Sequence, residues 1–106
     1  MKIQKLTDMR LGWFIGDFEP VVHRTSTFEA SVKYFKAGEV EPSHFQRIAT
    51  EITVIVSGIA KMNDLTLSDG DIVTIEPNEA ANFQAISDVS LIAIKFPSLP
   101  SDKVLS

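Results

Sequence analysis

The chain has 106 residues, a formal net charge of −4 and no cysteine. That length suits one domain, 1–106, burying roughly two-thirds of the surface its unfolded chain exposes. The missing thiol excludes disulfides, thiolate metal sites, iron–sulfur clusters and cysteine nucleophiles. The acidic balance and scattered Lys and Arg leave no footprint for nucleic acid.

The opening segment, Met1 to Asp8, lacks the apolar centre of a signal peptide, and no apolar run approaches the ~20 residues that span a bilayer. The expectation is a cytoplasmic protein with no membrane partner. Gly12 to Pro20 is rich in aromatics and punctuated by glycine, consistent with a short strand or a segment lying over a barrel mouth, its aromatics read as core. From Thr27 to Lys36 apolar and polar residues alternate, with Phe28, Ala30, Val32 and Tyr34 on one face and Glu29, Ser31 and Lys33 on the other, the pattern of a half-buried strand. Ala37-Gly38 and Glu41-Pro42-Ser43 read as turns.

An extended stretch then runs into Glu51 to Val56, rich in β-branched residues, and Ser57-Gly58 closes it. Ile59 to Met62 and Leu65 to Leu67 form a hairpin about Asn63-Asp64. Ile72 to Ile75 is a further strand, stopped at Glu76-Pro77. Ala80-Ala81 reads as a loop leading to Phe83 to Ile86, and Val89 to Phe96 is the last strong strand. Pro97 and Pro100 forbid regular pairing, so Ser101-Asp102-Lys103 reads as a polar tail on the surface or against a partner. Many short strands without a helical period predict an all-β sandwich or barrel.

The most informative constellation is Gly38, His44, Gln46, Glu51 and Gly58. His44 and Gln46 stand two apart, so on a strand they share a face. Glu51 has the opposite parity, which requires a bend, a bulge or a new strand between Arg47 and Thr50. Chance agreement of two glycines, one histidine and one glutamate at these four places is on the order of one in a thousand.

This spacing resembles the first motif of the cupin superfamily: a glycine, a His-x-His pair, a glutamate and a second glycine. Gly70 to Phe83 resembles the second motif, with Pro77 in the turn, Asn78 where a glycine stands in the family, and Ala81 or Asn82 in place of a histidine. The two motifs span about half the chain. The resemblance implies a single-domain cupin β-barrel, the double-stranded β-helix or jelly roll. It further implies a metal held by three histidines and a glutamate.

Here only His44 and Glu51 match that set; Gln46 stands for the second histidine and the third has no counterpart. A neutral amide oxygen from Gln46 or Asn82 is a weaker donor than imidazole. The expectation is therefore a ligand pocket of His44, Gln46, Glu51 and Asn82, in which His44, Gln46 and Glu51 hold a divalent metal ion loosely or not at all. His23 has no ligand partner at a recognisable interval and reads as a surface or structural residue.

Three functions remain open. The first is a binder of a small polar metabolite, sugar-like or acidic, without catalysis; the second is a metal-dependent enzyme of the isomerase, epimerase or oxygenase type, with His44 and Glu51 as an acid–base pair. The third is a structural or oligomerisation module. Pairing of exposed strand edges makes a homodimer the expected assembly. No nucleophile elbow, phosphate-cradling loop or dinucleotide fingerprint occurs in the sequence.

Overall fold

The computed structural model describes residues 1–106. After a 3₁₀ turn at Leu6–Asp8, eleven strands follow: β1 Trp13–Gly16, β2 His23–Arg24, β3 Glu29–Phe35, β4 Val40–Gln46, β5 Thr50–Ser57, β6 Ala60–Met62, β7 Leu65–Leu67, β8 Ile72–Ile75, β9 Ala81–Ala85, β10 Val89–Phe96 and β11 Lys103–Leu105. They form a six-stranded sheet in the order β2-β1-β3-β10-β5-β8 and a five-stranded sheet in the order β11-β4-β9-β6-β7. Apart from the parallel pair β1–β2, every pairing is antiparallel. The core is a continuous cluster drawing Ile55, Leu91, Ala93 and Ile75 from the first sheet and Ala60, Met62, Leu67, Phe83 and Ala85 from the second. The all-β barrel implied by the sequence is the observed architecture. No helix is long and apolar enough to cross a membrane.

Two motif glycines have identifiable backbone tasks. Gly38 has a φ of +91° in the β3–β4 turn, and Gly58 one of +104° between β5 and β6. A Cβ on Gly58 would stand 2.2 Å from the Asp88 carbonyl oxygen, so both conformation and space exclude a side chain there.

Three local readings of the sequence are corrected. Glu41-Pro42-Ser43 lies inside β4 rather than in a turn. Glu41 pairs with Phe83 but His44 with Ala81, so three steps on β4 match two on β9. This bulge accommodates a proline that cannot donate to the ladder.

The C-terminal residues are not a free tail. β11 adds to β4 with Lys103 opposite Gln46 and Leu105 opposite His44. Asp102 is buried, and its carboxylate accepts hydrogen bonds from the backbone N–H of Ile48 and Ala49 at 2.8–3.2 Å. These bonds fix the turn at 47–49, where the chain leaves one sheet for the other. Such a change of strand is what the opposite parities of His44 and Glu51 require.

The third correction concerns β3, where polarity is reversed relative to expectation. Ser31 is fully buried, while Tyr34 is 72% exposed. Glu29, Ser31 and Lys33 pair in register with Lys95, Ala93 and Leu91, on the barrel's inner side. Its apolar residues Val32 and Tyr34 face outward with Ile92, Ile52, Val54 and Ile72 of the neighbouring strands.

Candidate functional site

The cavity between the two sheets follows from three rows of residues that cross the inner face of the six-stranded sheet. In the first, Glu29, Lys95 and Glu51 stand side by side on β3, β10 and β5, a cross-strand alternation of charge. In the second, Trp13 of β1 faces Ser31, followed by Ala93 and Thr53. The third consists of Lys33, Leu91 and Ile55.

The small side chains of Ser31 and Ala93 leave the middle row low enough for the indole to lie over it. Lys33 and Lys95 rise from the rows on either side, with their Nζ atoms 5.1 and 4.9 Å from the centre of the Trp13 ring. Both are cation–π contacts, and an indole is the strongest neutral partner for such a contact. From the facing sheet, the β4 bulge turns Glu41 and His44 to the same side as Phe83 and Ala81. Glu41, His44, Lys103, Met62 and Phe83 complete the lining of a cavity of about 50 Å³. That is room for a few waters or a small ligand.

Within this cavity the charges are unequally matched. Glu51 Oε1 is 4.0 Å from Lys95 Nζ, and its Oε2 accepts a hydrogen bond from Thr53 Oγ1 at 3.1 Å. Lys33 lies in the apolar row and makes no ion pair. Burial holds its ammonium below the usual lysine range; Glu41 and Glu51 partly offset that, whereas Lys95 and Lys103 reinforce it. Glu29 is pushed up by burial and by the neighbouring carboxylates Glu51 and Asp102, against the pull of Lys95 and Lys33.

The four residues expected to form the pocket have separate fates. His44 and Glu51 both line the cavity. His44 Nδ1 lies 3.1 Å from the Pro42 carbonyl; since a carbonyl only accepts, this contact puts the proton on Nδ1 and leaves Nε2 for other partners. Gln46 is outside the lining, buried on β4 opposite Lys103 of β11, with its Nε2 lacking a hydrogen-bond partner. Asn82, next to Ala81 on β9, also lines the cavity. Its Oδ1 accepts from the Asn63 backbone N–H at 2.9 Å, and its own N–H donates to Asn63 Oδ1 at 3.1 Å, so the side chain closes the β6–β7 hairpin.

Opposite His44 the inward position belongs to the methyl group of Ala81. No group of three or more imidazoles and carboxylates comes together with the geometry of a metal site. An amide turned into a hairpin, an orphaned buried carboxamide N–H₂ and a methyl group do not fit the donor set of a tightly held transition metal. His23 is exposed at the sheet edge.

Trp13, Lys33, Lys95 and Glu41 were not anticipated as site residues. The available signal was parity: Lys95 shares its face with Leu91 and Ala93, which a buried strand must direct inward. Trp13 joins the core and the cavity at once, packing against the apolar cluster while its ring meets both lysines.

No family model and no curated protein matches the sequence. Solved structures do match in shape. A protein with a double-stranded β-helix domain from Klebsiella pneumoniae superposes with a TM-score of 0.71 at 18% identity, over 77% of this chain and 72% of that one. The DMSP lyase DddQ of Ruegeria pomeroyi gives 0.73 at 23% identity, over 89% of this chain and 49% of that one, so the match spans about half of the lyase. An RmlC-like cupin from Shewanella frigidimarina gives 0.67 at 19% identity, over 72% of this chain and 71% of that one. Two facing sheets, motif glycines at the strand junctions and these three superpositions show that the chain has the cupin fold, a small double-stranded β-helix.

Proposed function

We propose that this protein binds a small polar metabolite, sugar-like or acidic, inside its barrel, and that any divalent metal there is weakly held. The observation that carries the reading is the cavity itself, where Trp13, Lys33, Glu41, His44, Glu51 and Lys95 converge from both sheets on a space of about 50 Å³. An interior serving only as core would hold aliphatic side chains there, since unpaired charge is costly to bury. The test combines elemental analysis of untagged protein prepared without chelator with a thermal-shift screen of small sugars and acids. Saturable stabilisation by a member of the screen, without near-stoichiometric metal, is the expected result. Failure of every compound to bind would overturn the reading.

A metal-dependent enzyme of the isomerase, epimerase or oxygenase type is the second reading. It is favoured by one observation, an imidazole with free Nε2 and the Glu51 carboxylate lining the same cavity. Near-stoichiometric zinc, iron, nickel or manganese in the purified protein would put this reading first.

The working assembly we propose is a homodimer formed through the outer face of the six-stranded sheet. Val32, Tyr34, Ile92, Ile94, Ile52 and Ile72 cover that face without a charge among them, and Tyr34 and Ile72 are more than half exposed. Monomeric proteins rarely expose a broad uncharged apolar face, and a two-fold axis would lay two such faces together. Light scattering after size exclusion should give the mass of two chains, and that of one chain for Ile72→Lys. A wild-type monomer at high protein concentration would remove the proposal.

A further inference from the structure

Resting on the binding reading above, we infer that the barrel cavity is a site for a small monocarboxylate, anchored by the Lys33 ammonium with Lys95 as its second cation. The inference begins from the rows of the inner sheet face. Lys95 is supplied with negative partners, standing between Glu29 and Glu51 on the adjacent strands. Lys33 has Leu91 beside it and Ile55 beyond, and no carboxylate within ion-pair distance. The indole of Trp13 lies against its charge, with Nζ 5.1 Å from the ring centre. A cation–π contact offsets part of the desolvation of an ammonium but offers no hydrogen-bond acceptor in the plane of a carboxylate. Burial lowers the Lys33 affinity for its proton, and the pull of Glu41 and Glu51 offsets that only in part.

Charge and size narrow the ligand. Among the lysines that line the cavity, Lys95 has Glu29 and Glu51 beside it, whereas Lys33 makes no ion pair. A monoanion would pair the Lys33 charge, whereas a dianion would face Glu41 and Glu51 with a surplus of its own. The volume of about 50 Å³ suits a compact acid. A carboxylate oxygen can accept from the Lys33 ammonium, Lys95 on the same indole adds a second positive charge to the cavity, and the Trp13 ring offers the short carbon chain an apolar surface.

Trp13 is the only tryptophan in the chain, so its emission reports on this site alone. The experiment is a fluorescence titration of the full chain with sodium propionate, and separately with propionamide, at constant ionic strength set by sodium chloride. Propionate should give a saturable change and its neutral isostere none. Lys33→Met should weaken propionate binding by about tenfold or more, and Lys33→Arg should retain most of it. Equal responses to acid and amide, or unchanged propionate affinity in Lys33→Met, would overturn the inference. The thermal-shift screen separates the two levels. Saturable binding of a neutral sugar without any response to propionate would remove the carboxylate assignment and leave the binding reading standing. Silence toward propionate, propionamide and the sugars alike would remove both.

Discussion

The two ends of the barrel interior are built on the same strands and differ in almost everything else. Along β5 the inward residues run Glu51, Thr53, Ile55; along β10 they run Lys95, Ala93, Leu91, Val89. One end is therefore a charged, partly open chamber and the other a dry core in which Ile55, Ala60 and Ala85 have no exposed surface. Lys33 breaks the gradient. It stands level with Leu91 and Ile55, a charge placed one row deeper than the polar end extends. The difference teaches where stability and binding are separable: the apolar rows hold the sheets together, and the polar rows are free to serve a ligand.

The largest expected effect tests that separation directly. Ile55→Ala removes a fully buried side chain from the closed end and should lower unfolding stability by about 3 kcal/mol, read from urea denaturation. The propionate titration of the variant, at a temperature where it remains folded, should give the wild-type affinity. A large loss of affinity would show that the two ends form one cooperative unit in which stability and binding are not separable.

The same gradient explains what the sequence could and could not disclose. Most strands along the chain and the turns at Asn63-Asp64 and Ser57-Gly58 are legible because β-branched runs and these dipeptides carry local conformational preferences. The break between His44 and Glu51 was legible from parity alone. The facing of β3 was not. Alternation fixes which residues share a face, but hydrophobicity alone selects the wrong inner face here, where the polar face is the lining while Val32 and Tyr34 point out.

Asp102 was hidden for a different reason. Its partners, Ile48 and Ala49, lie more than 50 residues away, and a carboxylate on two backbone N–H groups has no sequence period. At the site, the motif spacing led to His44 and Glu51, which do meet at the cavity. It could not supply Trp13, Lys33 and Lys95, because their juxtaposition depends on the β1–β3–β10 register rather than on any interval along the chain.

A smaller effect sharpens the anomaly of Lys33. In the unliganded protein, Lys33→Met replaces a desolvated ammonium by an apolar chain of similar length in an apolar row, and should raise stability at pH 7 by about 1 kcal/mol. The gain should depend on pH. The folded state lowers the proton affinity of Lys33 below its ordinary value of 10.5, so wild type bears the full penalty of the buried charge below the folded value. As pH climbs from that lowered value through 10.5, the folded protein releases the proton before the unfolded chain does. The penalty then fades, and the advantage of methionine shrinks with it. Paired urea titrations of wild type and variant at pH 7 and above pH 10 measure the difference while cancelling the titration of other groups. A gain independent of pH would trace to packing alone, and a loss of stability at pH 7 would mean that the cavity already satisfies Lys33, removing the reason for it to recruit an anion.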